Sequence, residues 1–141
     1  MSETMEFSAS LEEVPEVAAK IAQRLPEDAV IFLRGDLAAG KTTLVKALAK
    51  AKGVEGEVTS PTFSVQQIYG EGFYHYDLYQ CPNERFFAMG LLEALEEPGW
   101  HLIEWGDEAL ETLLKSHGFA TATIDISPDA RGRRYKVTTD A

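Results

Sequence analysis

Apolar residues occur along the chain in two kinds of run, one fully apolar and one spaced at the period of a helix. Residues 29–33 (AVIFL) are apolar at every position, which predicts a parallel strand covered on both faces. Apolar residues recur at helical spacing over residues 14–25, after a capping box formed by Ser10 and Glu13. We therefore expect a helix that ends before Pro26, followed by a buried strand.

The helical spacing returns after the buried strand. Gly35 breaks the strand, and apolar residues over 44–51 then follow the helical period up to Gly53, a natural helix terminator. The predicted order in this part of the chain is therefore strand, glycine loop and helix.

Aromatic and β-branched residues dominate the middle of the chain. Residues 62–69 and 73–79 are rich in them and are separated by Gly70 and Gly72, which predicts a hairpin. Beyond the hairpin we expect a helix over 83–97, a strand over 100–105, a short helix over 107–115, and an antiparallel pair over 119–127 and 134–139. The predicted fold class is α/β, with antiparallel strands added to a parallel centre.

Composition narrows the possible functions. The 141 residues are the size of one domain, which we assign to residues 1–141. With 13 Lys and Arg against 23 Asp and Glu, the formal net charge of -10 argues against free-standing binding to nucleic acid. A single cysteine, Cys81, and three scattered histidines do not make a zinc site and fit a reducing compartment. The apolar runs are far shorter than the roughly 18 residues of a membrane span, so we expect no membrane segment. The cysteine usage favours the cytoplasm as the reducing compartment.

The glycine loop matches the phosphate-binding pattern GxxxxGK[ST], known as Walker A. Residues 35–42 read GDLAAGKT and lie between the apolar strand and the amphipathic helix, where backbone N–H groups and the helix dipole converge on a phosphate chain. We expect the lysine to reach the β and γ phosphates and the threonine hydroxyl to ligate Mg²⁺. The candidate phosphate-binding residues are Asp36, Leu37, Ala38, Ala39, Gly40, Lys41 and Thr42, with Thr43 as a weaker candidate.

A site for a nucleotide with Mg²⁺ also needs a carboxylate at the end of a neighbouring strand. Glu104 ends an apolar strand, and Asp77 shares a strand face with His75 by period-two spacing. One carboxylate is expected to hold the metal, directly or through water, while the other orients the attacking water. The spacing leaves that assignment open, and a solvated surface position is the alternative for each. We expect His75 to hydrogen-bond within its strand pair rather than to bind metal.

A loop rich in hydroxyl groups lies between the phosphate-loop helix and the hairpin. Hydroxyls on a loop stiffened by proline are suited to sensing the γ-phosphate as a switch, and a plain turn is the alternative. The candidate switch residues are Ser60, Pro61, Thr62 and Phe63.

Four motifs of this chain resemble, in order and spacing, those of the TsaE (YjeE) ATPases of bacterial tRNA threonylcarbamoyladenosine synthesis. They are GDLAAGKTT at residues 35–43, SPTF at 60–63, HYDLY at 75–79 and IEW at 103–105. The resemblance spans nearly the whole chain. It implies a P-loop NTPase-like mixed sheet with helices on both faces, and ATP and Mg²⁺ as ligands. It also implies a role with the TsaB and TsaD proteins, through which the tRNA is contacted.

The resemblance assigns roles by position. The phosphates and Mg²⁺ are bound by Gly40, Lys41 and Thr42. Asp77 and Glu104 form the metal and hydrolysis pair, and Trp105 lies near the nucleotide. Residues 60–63 form the switch loop.

The chain departs from the family pattern at four positions. Ala38 replaces Gly, Gly106 replaces Pro, Val14 replaces Thr and Gln80 replaces Arg. Val14 removes a hydroxyl near the expected base pocket, and Gln80 removes a charged contact with a partner or with Asp77.

A basic segment near the C-terminus contrasts with the acidic rest of the chain. Its residues are Arg131, Arg133, Arg134 and Lys136. We expect a solvated strand edge that guards against strand addition, with contact to tRNA or to an acidic partner as the alternative.

The function expected from these features is Mg-dependent ATP hydrolysis in support of tRNA modification. Turnover by the chain alone is expected to be weak, because no arginine stands in a motif position to stabilise the transferring phosphoryl group. The main alternative is a non-hydrolytic nucleotide-sensing subunit that stabilises the complex, and a small-molecule kinase is a further one.

Overall fold

The computed structural model describes residues 2–35, 41–54, 66–68, 72–79, 82–88, 90–130 and 132–140. Its strands are β1 (Ser2–Ala9), β2 (Ala29–Arg34), β3 (Gln66–Ile68), β4 (Phe73–Asp77), β5 (Trp100–Glu104), β6 (Thr121–Asp129) and β7 (Gly132–Asp140). Its helices are α1 (Val14–Arg24), which follows a 3₁₀ turn (Leu11–Glu13), α2 (Lys41–Ala51), α3 (Asn83–Ala88), α4 (Leu91–Ala94) and α5 (Glu108–Ser116). Of these helices, none has the length and apolar character needed to cross a membrane.

The strands form one sheet in the order β1-β7-β6-β2-β5-β4-β3. Its centre is parallel, because β2 pairs in parallel with both β5 and β6, and β5 pairs in parallel with β4. Antiparallel strands flank this centre, with β7 and β1 on one side and β3 on the other. The expected mixed sheet with a parallel centre is confirmed.

Helices cover both faces of the sheet. On one face, α1 and α2 contribute Val14, Val17, Ala18, Ile21, Leu44, Val45 and Leu48 to a core that includes Ile31 and Leu33 of β2. On the other face, α3, α4 and α5 contribute Phe86, Leu91, Leu110 and Leu114 to a core that includes Val30 and Phe32 of β2. Because β2 is buried on both faces, every position of residues 29–33 has to be apolar.

The parallel strands are paired so that their carboxyl ends lie level. Leu33 of β2 is paired with Glu104 of β5, and Glu104 is in turn paired with Asp77 of β4. Phe73 and Leu102 belong to the core beneath α1 and α2, so period-two spacing places Asp77 and Glu104 on that same face. The sheet thus presents both carboxylates toward the layer in which α2 begins.

Strand β1 is absent from the elements that the hydrophobic pattern predicts, although Met5, Phe7 and Ala9 alternate toward the core. It pairs with β7 along its whole length and forms the edge of the sheet. The expectation that the basic residues of β7 form a strand edge is therefore wrong. Arg134 is paired with Ser8 of β1 and forms an ion pair with Glu6 of the same strand, with its Nε 3.8 Å from the carboxylate Oε1.

The prediction of a single helix over residues 83–97 is also wrong. α3 ends at Ala88 and α4 begins at Leu91, and Gly90 between them has a φ of 76°. A residue in the left-handed region ends a helix, so the chain turns here and starts a second short helix.

His101 of β5 is a buried imidazole with both ring nitrogens hydrogen-bonded. Its Nε2–H donates to the backbone O of Glu97 at 2.7 Å, and its Nδ1 accepts from the Tyr76 hydroxyl at 2.7 Å. The ring also stacks on Tyr74, with 4.3 Å between centroids. Burial lowers the pKa of His101 below its ordinary 6.5 and outweighs the opposing effect of the Glu97 carbonyl.

Glycine is required where the amino end of β5 meets the turn before β4. A Cβ on Gly99 would lie 2.4 Å from both the Cα and the O of Gly72, and the φ of Gly99 is 120°. The contact is held by the N–H of Trp100, which donates to the O of Gly72 at 2.9 Å. The N–H of Gly99 donates to Asp28 Oδ1 at 2.7 Å.

We expect Gly99→Ala to lower the free energy of unfolding by about 3 kcal/mol or more, because backbone strain and a backbone clash act together. Gly118→Ala is the matched control, since Gly118 also has a positive φ of 86° but nothing lies within 4 Å of an added Cβ. Its expected loss is about 1 kcal/mol, from strain alone. Urea denaturation of both variants measures the difference, and equal losses would contradict the clash.

We expect the free energy of unfolding to fall as the pH is lowered from about 7.5 to about 5.5. The unfolded chain protonates His101 near its ordinary pKa of 6.5, whereas the folded chain keeps the ring neutral to lower pH. The stabilisation is thus complete above the unfolded pKa and is lost as the pH falls through it. In His101→Gln the fall is expected to be shallower. Denaturation curves of the native chain and of His101→Gln at both pH values measure this difference. An equal fall in the free energy of unfolding in the two proteins would contradict the role of His101.

Candidate functional site

Lys41 begins α2 at the carboxyl edge of the sheet, and its side chain is buried there, with 4% of the residue exposed. Its Nζ donates to the backbone O of Gly35 at 2.9 Å. The same Nζ lies 3.7 Å from the centroid of the Trp105 ring. The ammonium group is therefore held between the ends of β2 and β5, where the Walker A pattern predicts a phosphate-binding lysine.

Trp105 leaves β5 in an unusual backbone conformation. Its φ is 65°, the one positive value for a residue other than glycine in the described part of the chain. This conformation costs about 1 kcal/mol or more, and such strain concentrates at functional sites. The residue is 36% exposed, and its ring packs on that of Tyr79 with 5.1 Å between centroids. The turn at Trp105 thus places an aromatic ring over the lysine.

Glu104 is a buried carboxylate, with 5% of the residue exposed. His75 of β4 is fully buried beside it, and the Nε2 of His75 lies 2.5 Å from Glu104 Oε2. Since an ionised carboxylate only accepts hydrogen bonds, the imidazole N–H is the donor. This hydrogen bond joins β4 to β5, its neighbour in the sheet on the side away from β3.

Asp77 ends β4 directly beside Glu104 in the strand register. It is half-buried, and its Oδ1 accepts the backbone N–H of Tyr79 at 3.0 Å. The next residue, Leu78, donates its N–H to the backbone O of Glu104 at 3.0 Å, which ties the ends of β4 and β5 together. The structure thus brings both predicted carboxylates to one place.

A cavity of about 290 Å³ opens between the ends of β2 and β5. It is lined by Leu33, Arg34, Gly35, Lys41, Trp105, Gly106 and Asp107. Two of these side chains are cations, Lys41 and Arg34. Arg34 is not among the site residues predicted from the sequence, although its position directly before the glycine loop is a usable signal.

Arg34 is held on the far side of this cavity by α5 and β2. Its Nη1 lies 3.6 Å from Glu111 Oε1, and its guanidinium carbon lies 5.4 Å from the centroid of the Phe32 ring. Glu111 Oε1 also accepts from the Thr123 hydroxyl at 2.6 Å. These contacts direct the guanidinium toward the α5 face rather than toward the carboxylates.

Gly106 and Asp107, which follow Trp105, also line the cavity. A Cβ on Gly106 would lie 2.8 Å from the Phe32 ring and 3.0 Å from Ile103, so the proline of the family pattern does not fit here without movement of Phe32. Asp107 then caps α5 by accepting the N–H of Leu110 at 2.8 Å. The departure at Gly106 is therefore matched to the packing of this chain.

Several residues singled out from the sequence lie outside the part of the chain that the structure describes. Those outside the described residues are Asp36, Leu37, Ala38, Ala39, Gly40, Ser60, Pro61, Thr62, Phe63, Gln80, Cys81 and Arg131. Thr42 is described as part of α2 by its backbone alone. Thr43 is exposed on α2, and Val14 is buried at the start of α1.

The donors at the carboxyl edge suit a hard divalent cation. Asp77 and Glu104 supply carboxylate oxygens, which are the ligands that Mg²⁺ prefers, and Mg²⁺ in nucleotide sites takes only one or two of them. Within the described ranges no group of three or more His, Cys, Asp or Glu residues is arranged to hold a metal ion. The two carboxylates by themselves fit a divalent cation at this edge of the sheet.

The chain matches a family model described as threonylcarbamoyl adenosine biosynthesis protein TsaE over residues 8–135. The TsaE protein of Treponema pallidum (strain Nichols) is 35% identical over 130 residues, which cover 90% of this chain and 93% of that protein. The TsaE protein of Bacillus subtilis (strain 168) is 33% identical over 137 residues, covering 89% and 85% of the two chains. The crystal structure of Bacillus subtilis YdiB has a TM-score of 0.69 at 26% identity, over 100% of this chain and 88% of that one.

The similarity covers the segments that form the candidate site. Lys41, Asp77 and Glu104 all lie within the matched residues 8–135. The match in structure over the whole chain agrees with the P-loop-like sheet described above. The family expected from the four motifs is confirmed: the chain belongs to the TsaE family of threonylcarbamoyladenosine biosynthesis proteins.

Proposed function

We propose that this chain binds and hydrolyses ATP with Mg²⁺ as a subunit in tRNA threonylcarbamoyladenosine modification, together with TsaB and TsaD. The observation that carries the proposal is the convergence of Lys41, Glu104 and Asp77 at one edge of the sheet. The strand register aligns the two carboxylates, and the start of α2 adds the buried lysine. Membership of the TsaE family supports the biological role.

Each residue has a role that follows from its chemistry. Mg²⁺ supplies the charge that neutralises the β and γ phosphate oxygens. In this proposal Lys41 binds the β and γ phosphates, the Thr42 hydroxyl contributes a ligand to the cation, and residues 36–40 supply backbone N–H groups. Of Asp77 and Glu104, one carboxylate binds the metal and the other orients the attacking water.

The charge of the chain argues for contact with tRNA through partners. A net charge of -10 disfavours direct binding to a polyanion. We therefore assign the tRNA contact mainly to TsaB and TsaD and place this chain as their nucleotide-hydrolysing subunit.

Completion of the site by a partner is part of the proposal. Arg34, the arginine that lines the cavity, is held by Glu111 on the opposite side of the sheet from the carboxylates. In this proposal a partner protein supplies the arginine that stabilises the transferring phosphoryl group. Hydrolysis by the isolated chain is accordingly expected to be slow.

The assay is steady-state release of phosphate from Mg-ATP, with and without TsaB and TsaD. We expect the partners to raise turnover, and Lys41→Ala and Glu104→Ala each to lower kcat about 100-fold in their presence. Lys46→Ala is the matched control, because Lys46 is an exposed lysine of the same helix and is expected to keep the native rate. Nucleotide binding without release of phosphate above the two site variants would favour the non-hydrolytic sensing subunit.

Nucleotide binding is expected to change the fluorescence of Trp105, because the Lys41 ammonium leaves the indole ring to reach the phosphates. Trp100 at the other end of β5 is the matched control. It is 4% exposed, and its Nε1 donates to the O of Pro26 at 2.9 Å. A titration with Mg-ATP should show the change in Trp100→Phe and not in Trp105→Phe. The reverse pattern would contradict the displacement of the lysine.

A further inference from the structure

His75 is buried like a core residue, but it forms a hydrogen bond with Glu104 of the candidate site. It is fully buried on β4, two residues from Phe73, which is also fully buried. Burying an imidazole among apolar side chains costs free energy that an apolar residue would not incur. The bond to Glu104 offsets this cost. A position that served packing alone would favour an apolar side chain, so the histidine points to a need for a hydrogen-bond donor.

The strand register explains why His75 meets Glu104. β4 and β5 are parallel, with His75 paired with Leu102 and Asp77 paired with Glu104. His75 therefore lies one step back from the strand end on the same face as both carboxylates. From there its Nε2–H reaches Glu104 Oε2 at 2.5 Å from beneath, on the side away from the open edge.

A carboxylate at the end of a glutamate side chain needs such a donor to keep one orientation. The last torsion of glutamate is broad rather than confined to staggered wells, so the carboxylate plane turns easily. A donor mounted on the neighbouring strand fixes one oxygen and with it the plane. Hydrogen bonds of this kind orient the carboxylates that act at metal and catalytic sites.

The two carboxylates are held in the same way by different donors. Asp77 Oδ1 accepts the backbone N–H of Tyr79, and Glu104 Oε2 accepts the imidazole N–H of His75. Within the described part of the chain, the hydrogen bonds to these carboxylates are made to Asp77 Oδ1 and Glu104 Oε2 and not to Asp77 Oδ2 or Glu104 Oε1. Each carboxylate thus commits one oxygen to the protein.

We propose that His75 is a positioning residue, which holds Oε2 of Glu104 so that Oε1 is presented in a fixed orientation to the nucleotide site. This inference rests on the proposed function, since it assigns His75 to the reaction in which Glu104 takes part. His75 itself touches neither the nucleotide nor the attacking water. Its contribution passes through the carboxylate.

The test compares three substitutions of His75 in the full chain with TsaB and TsaD. His75→Leu removes the donor, His75→Gln places an amide N–H at about the reach of Nε2, and His75→Asn places one too short to reach. We expect His75→Leu to lower kcat about 10- to 100-fold while the dissociation constant for Mg-ATP, measured by calorimetry, changes by less than about 3-fold. His75→Gln is expected to recover most of the loss, and His75→Asn is not.

Two further readouts separate positioning from a purely structural role. In the ligand-free chain, the proton on His75 Nε2 is expected to give a downfield NMR signal that is lost in Glu104→Ala. In kinetics, His75→Leu is expected to cost far less in the Glu104→Ala background than in the native chain, because both changes remove the same function. His101→Leu removes a buried, hydrogen-bonded histidine of the adjacent strand that does not contact Glu104, and it shows how far the loss of such a residue alone changes stability and rate.

The possible failures of the two proposals are distinguishable. Native turnover that is no greater than that of Lys41→Ala and Glu104→Ala would overturn the proposed hydrolysis and this inference with it. Glu104-dependent turnover that His75→Leu leaves unchanged in a folded chain would overturn the inference alone. So would a loss in His75→Leu that His75→Gln does not recover, or one that is equally large in the Glu104→Ala background.

Discussion

The in-register parallel pairing of β2, β5 and β4 is the constraint on which the site depends. Side chains alternate between the faces of a sheet, so a slip of β4 by one residue would turn Asp77 and His75 to the α5 face. Glu104 would then lose both its neighbour in the proposed pair and its hydrogen-bond donor. The apolar residues between the site and the amino ends of these strands prevent the slip, because it would also turn the buried Phe73 out of its core.

The sequence predicts well the features that depend only on residues close together in the chain. The all-apolar run before Gly35 and the glycine loop with its lysine each identify their structure locally, and the structure confirms β2 and α2. Strand β1 was missed because its alternation is weak, with Met5 and Phe7 only partly buried. The break at Gly90 was missed because the flanking residues continue a helical pattern, and a positive φ is a property of the backbone that composition does not record.

The partnerships within the site are harder to predict because they cross between strands. Spacing placed Asp77 and His75 on one face, and an apolar strand ending in Glu104 was recognised as a separate candidate. Neither segment alone shows that β4 and β5 are neighbours in the sheet. The hydrogen bond between His75 and Glu104 could therefore not be derived from the sequence. The basic residues of β7 were assigned to an edge for the same reason, because the pairing of β1 beyond β7 depends on the opposite end of the chain.

In the proposed function, the contacts of Lys41 differ between the nucleotide-free site and the nucleotide-bound site. Lys41 here bonds to the O of Gly35 and lies over Trp105, and each interaction is worth on the order of 1 kcal/mol. A phosphate chain that takes the ammonium group has to replace both, so part of the binding free energy is used in releasing them. Trp105, which has a positive φ and packs against Tyr79, then loses its contact with the ammonium group. In the proposed function, nucleotide occupancy is in this way coupled to Trp105 and Tyr79 beside the site.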